Sequence, residues 1–325
     1  MKSAVAFFSA LILITGATFY HKLTGPPFDS DNFLIFNTFC EIKISGGGAV
    51  EVREARSRME QALAPFSLDT KEGIPSELTI LNRDKILKNP SPHFLRCLTL
   101  ARDFFEKTGG WFDPSIYTLM DAYGFYDGKH RLPSDLELNR IISENTHLKL
   151  MLSSREISID PSQSLDLGAI VKGYAIDSAV EYLSNQNLNG FLINFGGEVA
   201  AFGKNGDRAW RVGLRDPSGN GIIGDFALDR IISTSGDYNN RFEVEGRVII
   251  HIFSPFSGRN DSDLKSVSVF SRSGAEADAL STALFAMGSE EAGKFAVKSG
   301  IPVILINSAG EIQRIGNAPE ILQNK

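Results

Sequence analysis

Apolar residues recur with helical spacing in several stretches of the chain. Val52, Ala55, Met59, Ala62 and Leu63 keep a 3.6-residue rhythm and predict a helix over 50–65. Phe94, Leu98, Ala101 and Phe105 share one face of a second helix, over 92–108, which Gly109-Gly110 ends. Ser134-x-x-Glu137 is a capping box that opens a third helix running to Asn145. Ile176, Ala179, Val180 and Leu183 point inward from a helix over 170–185, stopped by Asn189-Gly190. Two more helices close the chain: one around Asp278, apolar nearly all round and ending at Met287-Gly288, and one over 290–298. Between them lie short apolar or alternating runs at 33–44, 157–160, 164–166, 191–195, 199–202, 210–214, 226–234, 266–271 and 303–307, which read as strands. Residues 242–250 read as a hairpin with a tight Glu-Gly turn. Strands and helices mix without regular βαβ alternation, so the expected class is α+β with mixed or antiparallel sheets and packed helices.

The N-terminus breaks the pattern. Residues 3–20 form an almost uncharged apolar run between Lys2 and His21-Lys22, the length of a secretory signal or short membrane anchor. Residues 1–20 are therefore expected to direct export to the periplasmic side, cleaved or as an inner-membrane anchor. A Pro/Gly/Asp-rich linker is expected over 21–32 and one folded domain over 33–325. The composition is that of a globular protein with ample core, at 42% hydrophobic and 22% charged. A net charge of −6 argues against nucleic acid as a partner. Cys40 and Cys97 form no CxxC or Cys/His cluster, so they read as structural residues and not as a zinc site.

Two segments carry chemistry. Asp166-Leu-Gly-Ala-Ile-Val-Lys172-Gly-Tyr174 reads as a strand end, a turn and a helix start, and spaces a carboxylate, the Ala169 carbonyl and a lysine at intervals of three. Asp278 and Thr282 lie at i and i+4, on one face of a helix. Hard oxygen donors from two elements suit Mg²⁺, which keeps room for phosphate oxygens, and a lysine beside them suits phosphate. Asp166 alone reads equally well as a helix cap, and Asp278 as a polar pair with Thr282. The apolar surroundings of Asp278 weaken that second alternative, because a buried carboxylate needs a partner or a metal. His251, in an apolar run, reads either as a core histidine or, facing a cleft, as a proton acceptor. Gly110-Trp111-Phe112-Asp113-Pro114 is an aromatic turn that serves core packing or covers a flat ring. Asn194-Phe-Gly196-Gly197-Glu198 and Ser233-Thr-Ser-Gly236 end strands as Gly-rich or hydroxyl-rich lips.

Taken in order, these motifs resemble the ApbE family of FAD:protein FMN transferases, over residues 33–306. The shared pattern is Trp111-Phe-Asp-Pro, Asp166-x-Gly-Ala-x-x-Lys172-Gly-Tyr-Ala-x-Asp177, Asn194-x-Gly-Gly-Glu198, Ile232-Ser-Thr-Ser-Gly236, His251-Ile252 and Ala277-Asp-Ala-x-x-Thr282. The resemblance implies a T-fold-like α+β architecture. It also implies Mg²⁺-dependent transfer of FMN from FAD to a threonine of an acceptor flavoprotein of the respiratory or redox-pump type, with release of AMP. Carried over by position, Asp278, Thr282 and the Ala169 carbonyl are the metal ligands. Phe36, Trp111, Phe112, Asp113, Asp166, Lys172 and Ile252 are the FAD contacts, and His251, alone among the five histidines in lying inside a motif, is the catalytic base. The chain departs from the family at Phe36-Asn-Thr, at Ser67-Leu-Asp69, which lacks the family's frequent aromatic, and at Ser254-Pro-Phe-Ser-Gly258. The same site would serve an FAD pyrophosphatase, with water in place of the threonine, or a flavin-binding assembly protein without turnover.

Overall fold

The computed structural model describes residues 28–67, 74–144, 148–219, 221–238 and 240–322. The expected signal or anchor, most of the expected linker, and the loop beyond Ser67 lie outside the described residues. No helix among the described residues is long and apolar enough to cross a membrane.

The first strand, β1 (Phe28–Ile35), begins inside the stretch read as linker. It does not run on to residue 44. Phe36 and Asn37 both take positive φ, near 53°, which folds the chain into a two-residue hairpin onto β2 (Thr38–Ser45). Helix α1 (Ala49–Leu63) follows, with Glu51 reaching back to the Gly48 amide. The next elements are α2 (Glu77–Asp84), β3 (Ile86–Lys88) and α3 (Pro92–Lys107), then α4 (Tyr117–Ala122) and α5 (Asp135–Glu144). β4 (Leu150–Leu152) and β5 (Glu156–Ile159) join β3 in a small three-stranded sheet. The expected strand at 164–166 is a loop.

Helix α6 (Val171–Leu183) leads to β6 (Gly190–Phe195), β7 (Glu198–Asn205) and β8 (Arg208–Ala209). β9 (Arg211–Arg215) pairs with β10 (Ile222–Ala227) in a two-stranded ribbon. The run at 226–234 is thus divided, its second part forming β11 (Arg230–Gly236). β12 (Arg241–Val244) and β13 (Arg247–Ile250) form the expected hairpin around Glu245-Gly246, both with positive φ. β14 (Leu264–Ser271), α7 (Gly274–Met287), α8 (Ser289–Ser299), β15 (Val303–Asn307) and β16 (Ile312–Ile315) complete the chain.

The main sheet runs β1-β2-β6-β7-β11-β14-β15-β16, every neighbouring pair antiparallel, with β8 attached to β7. The fold is α+β, as the pattern of elements predicts. Helix α7 packs against α6, α3, β11 and β14, and α6 packs against α1. This position explains why α7 is apolar nearly all round: eleven of its fourteen residues are buried. Both cysteines are buried and free. Burial pushes the Cys40 thiol up to about 12, and burial together with Asp278 raises Cys97, so neither is a thiolate nucleophile at neutral pH.

Candidate functional site

The site lies where the N-terminal turns of α6 and α7 touch. Gly173 and Gly274 meet backbone to backbone: a side-chain carbon on either would collide with the carbonyl of the other. Glycine is required here for close approach. Asp177, one turn along α6, accepts from the Ser273 hydroxyl (2.9 Å) and the Gly274 (2.5 Å) and Ala275 (3.0 Å) amides. One helix thereby supplies part of the N-terminal cap of the other. Burial raises the Asp177 carboxyl and these donors pull it back.

Ile170 is the N-cap of α6, with φ −145°, and its carbonyl takes the first helical bond, from the Tyr174 amide at 2.9 Å. The Gly173 amide is one of the first-turn donors that a helix leaves without an internal partner, and it is donated to Asp278 Oδ2 at 3.2 Å. Asp278 is only 4% exposed. Burial raises its pKa, while the Lys172 charge and the Gly173 amide oppose that rise. Thr282 follows one turn on, half-buried, its Oγ1 3.3 Å from Ser235 Oγ on β11. Ser235 also bonds Ser281 (2.9 Å), whose hydroxyl donates to the Asp278 carbonyl (3.0 Å). A carboxylate and a hydroxyl on α7, braced on β11, thus stand against the start of α6, which the Ala169 carbonyl precedes. They are the hard oxygen donors that fit a small divalent cation.

Lys172, on the first turn of α6, is ion-paired with Glu198 at the start of β7. Glu198 is 3% exposed, and its Oε2 is buried without a hydrogen-bond partner. Sequence reasoning quoted Glu198 in a motif and gave it no role. Asp166 accepts from the Gly168 amide (2.6 Å) and from the Tyr126 hydroxyl. Tyr126 stacks on Tyr117 at 4.3 Å, and nothing in the local sequence pointed to it.

Of the remaining expected residues, the aromatic turn is joined to the Asp166 motif by a backbone contact. The Asp166 amide donates to the Pro114 carbonyl (2.8 Å), tying the aromatic turn to the start of the motif. Asp113 accepts from the Ser115 amide (2.8 Å) and hydroxyl (2.7 Å); burial pushes its carboxyl up to about 6. Trp111 is half-buried and meets Phe256 edge to face at 4.8 Å. Phe112, by contrast, is a core side chain, packed on Phe104 at 6.4 Å. Ile252 is likewise buried in the core. His251 is half-buried and lies just past the end of β13, not within a strand. Asn260 flanks it on both sides, donating to the carbonyls of Ile250 (3.0 Å) and Ile252 (2.6 Å). The other described histidines are engaged elsewhere: His93 with the Tyr174 hydroxyl (2.9 Å), His130 stacked on Phe242. Phe36 sits half-buried at the β1–β2 turn, and Thr38, just after it, abuts Gly196 in the turn before Glu198.

The antiparallel sheet with two helix starts pressed together over it defines an α+β class that recurs among solved structures. The ApbE protein of Thermotoga maritima superposes with a TM-score of 0.80 at 24% identity, covering 89% of this chain and 97% of that one. A flavin transferase ApbE from Vibrio cholerae superposes at a TM-score of 0.73 and 25% identity, covering 90% of this chain and 98% of the other. The chain belongs to the ApbE family, whose model matches residues 36–318. A FAD:protein FMN transferase of Rhodobacter capsulatus is 29% identical over 314 residues, 94% of this chain and 60% of that protein. One from Vibrio cholerae is 34% identical over 225 residues, 64% of this chain and 66% of that protein. The matches to these curated relatives thus span three-fifths to two-thirds of the relatives' length.

Proposed function

We propose that this protein transfers the FMN moiety of FAD to a threonine hydroxyl of an acceptor flavoprotein of respiratory or redox-pump type and releases AMP. A bond forms between the threonine oxygen and the FMN phosphorus, and the pyrophosphate bond to AMP breaks. The observation that carries the proposal is the bond from the Gly173 amide to Asp278, which ties the start of α6, with Ala169 and Lys172 beside it in sequence, to the carboxylate on α7.

Asp278, Thr282 and the Ala169 carbonyl would hold Mg²⁺, which neutralises pyrophosphate charge and charge developing on the leaving AMP. Lys172 lies beside that cluster as a cation for phosphate oxygens. Trp111, Asp113, Asp166 and the Phe36 turn contact FAD in this reading. Phe112 and Ile252, whose side chains are buried, contribute through backbone or by supporting their neighbours. His251 takes the threonine proton, since a hydroxyl is a weak nucleophile without an adjacent base. The relatives' names and the family match support this reading. So do the contacts that tie the aromatic turn to Asp166 and the start of α6 to Asp278. The apolar run at 3–20 supports action on the periplasmic side, with that segment as signal or inner-membrane anchor.

The test is to incubate the protein with FAD, Mg²⁺ and an acceptor domain and weigh the acceptor. A mass gain equal to FMN is expected. Release of free FMN and AMP with the acceptor unchanged would assign a pyrophosphatase instead.

A further inference from the structure

Glu198 is the unexplained charge of the site. It is almost wholly buried at the start of β7. One oxygen pairs with Lys172 and the other, Oε2, has no partner. A buried carboxylate with one cation and an idle oxygen is a poor stabilising device, because desolvation offsets the attraction and the unpaired oxygen adds its own cost. Its neighbourhood explains what it does. Lys172 has two carboxylates to choose between. Asp278 feels its charge but makes no ion pair with it, and the Lys172 ammonium lies on Glu198. An ammonium bound to Asp278 would occupy the carboxylate that a divalent cation needs.

We propose that Glu198 is a positioning residue: it holds the Lys172 ammonium off Asp278 and so keeps that carboxylate open to a divalent cation. The idea rests on the reading of Asp278 as a cation ligand. The local frame suits the task. Gly196 and Gly197 both take positive φ in the turn that delivers Glu198, and the Gly197 amide is fixed by Asn194 Oδ1 at 3.1 Å. The carboxylate is therefore presented from a rigid strand start, whereas Lys172 is a flexible side chain at a helix start.

The test uses the full chain and reads FAD binding, by quenching of flavin fluorescence, against Mg²⁺ concentration. Glu198→Gln keeps the size of the side chain and an acceptor for Lys172 but removes the competing charge. Its half-saturating Mg²⁺ at saturating FAD should rise roughly tenfold or more, as expected for loss of a buried charge-assisted hydrogen bond. Glu198→Asp keeps the charge that holds Lys172 and should leave the value within about threefold of wild type. An unchanged Mg²⁺ requirement in Glu198→Gln, with wild-type binding still Mg²⁺-dependent, overturns this inference alone. Wild-type FAD binding that ignores Mg²⁺ overturns the cation reading with it. Should Glu198→Gln fail to fold, Asn194→Ala, which frees the Gly197 amide in the turn that presents Glu198, carries the test. A Mg²⁺ requirement raised roughly threefold or more there sustains the proposal, and an unchanged one overturns it.

Discussion

Asp113 shows how one half-buried group makes its surroundings sensitive to pH. Its folded carboxyl holds a proton up to about 6, because burial outweighs the two hydrogen bonds from Ser115. In the unfolded chain it releases that proton near pH ~4. Ionising it in the fold therefore costs stability, and the cost appears as pH rises through this window. Asp113→Asn keeps the acceptor oxygen and removes the charge. It should raise folding stability at about pH 7.5 by roughly 1–2 kcal/mol and change it little at about pH 3.5. Equal effects at both pH values would show that Asp113 is not held protonated. His251 belongs to the same scale. General bases contribute on the order of 10²–10⁴-fold, so His251→Asn should slow FMN transfer by that order while FAD binding persists. Undiminished transfer with normal FAD binding would make His251 structural. What the sequence revealed at this scale was residue type and spacing. The partners of Asp166 and Lys172 were hidden, since Tyr126 and Glu198 lie 40 and 26 positions away and meet them only through the fold.

At the scale of elements, the decisive contact is Gly173 against Gly274. It sets how far α7 slides along α6, and hence whether the Gly173 amide reaches Asp278. Gly274→Ala inserts a carbon against the Gly173 carbonyl, and backbone must shift to admit it. Such overpacking costs about 1–3 kcal/mol, and the shifted helices should also raise the Mg²⁺ needed for FAD binding. Thermal unfolding and the fluorescence titration check the two parts. A variant of wild-type stability and Mg²⁺ response would remove the helix contact from the account. The long helices were legible because their apolar faces are periodic; α3 was expected over 92–108 and spans 92–107. The hairpin at β12–β13 was legible from Glu245-Gly246. The β1–β2 hairpin was not, because Phe36-Asn37 carries no glycine and Phe36 is an uncommon residue at positive φ. The short helices α2 and α4 were also missed, at eight and six residues too brief for their rhythm to show. The 226–234 run looked continuous because the apolar Phe226-Ala227 and Ile231-Ile232 lie close together and only Leu228-Asp229 divides β10 from β11.

At the scale of the whole molecule, one antiparallel sheet gathers residues spread along the chain. β2, β6 and β7 bring the Phe36 turn beside Glu198, and β11 and β14 support α7 with Asp278 and Thr282. The loop after β13 reaches the aromatic turn through Phe256 on Trp111, and that turn reaches Asp166 through Pro114. The loop after β13, the aromatic turn and the Asp166 motif, separate along the sequence, are thus connected in the fold. The most direct measurement is the intact mass of an acceptor domain after incubation with FAD, Mg²⁺ and either the wild-type protein or Asp278→Ala. The account predicts an FMN adduct with wild type, lost when Mg²⁺ is chelated and lost in Asp278→Ala, because removing the anionic ligand removes the cation. An adduct formed by Asp278→Ala at a near wild-type rate and ordinary Mg²⁺ would contradict it.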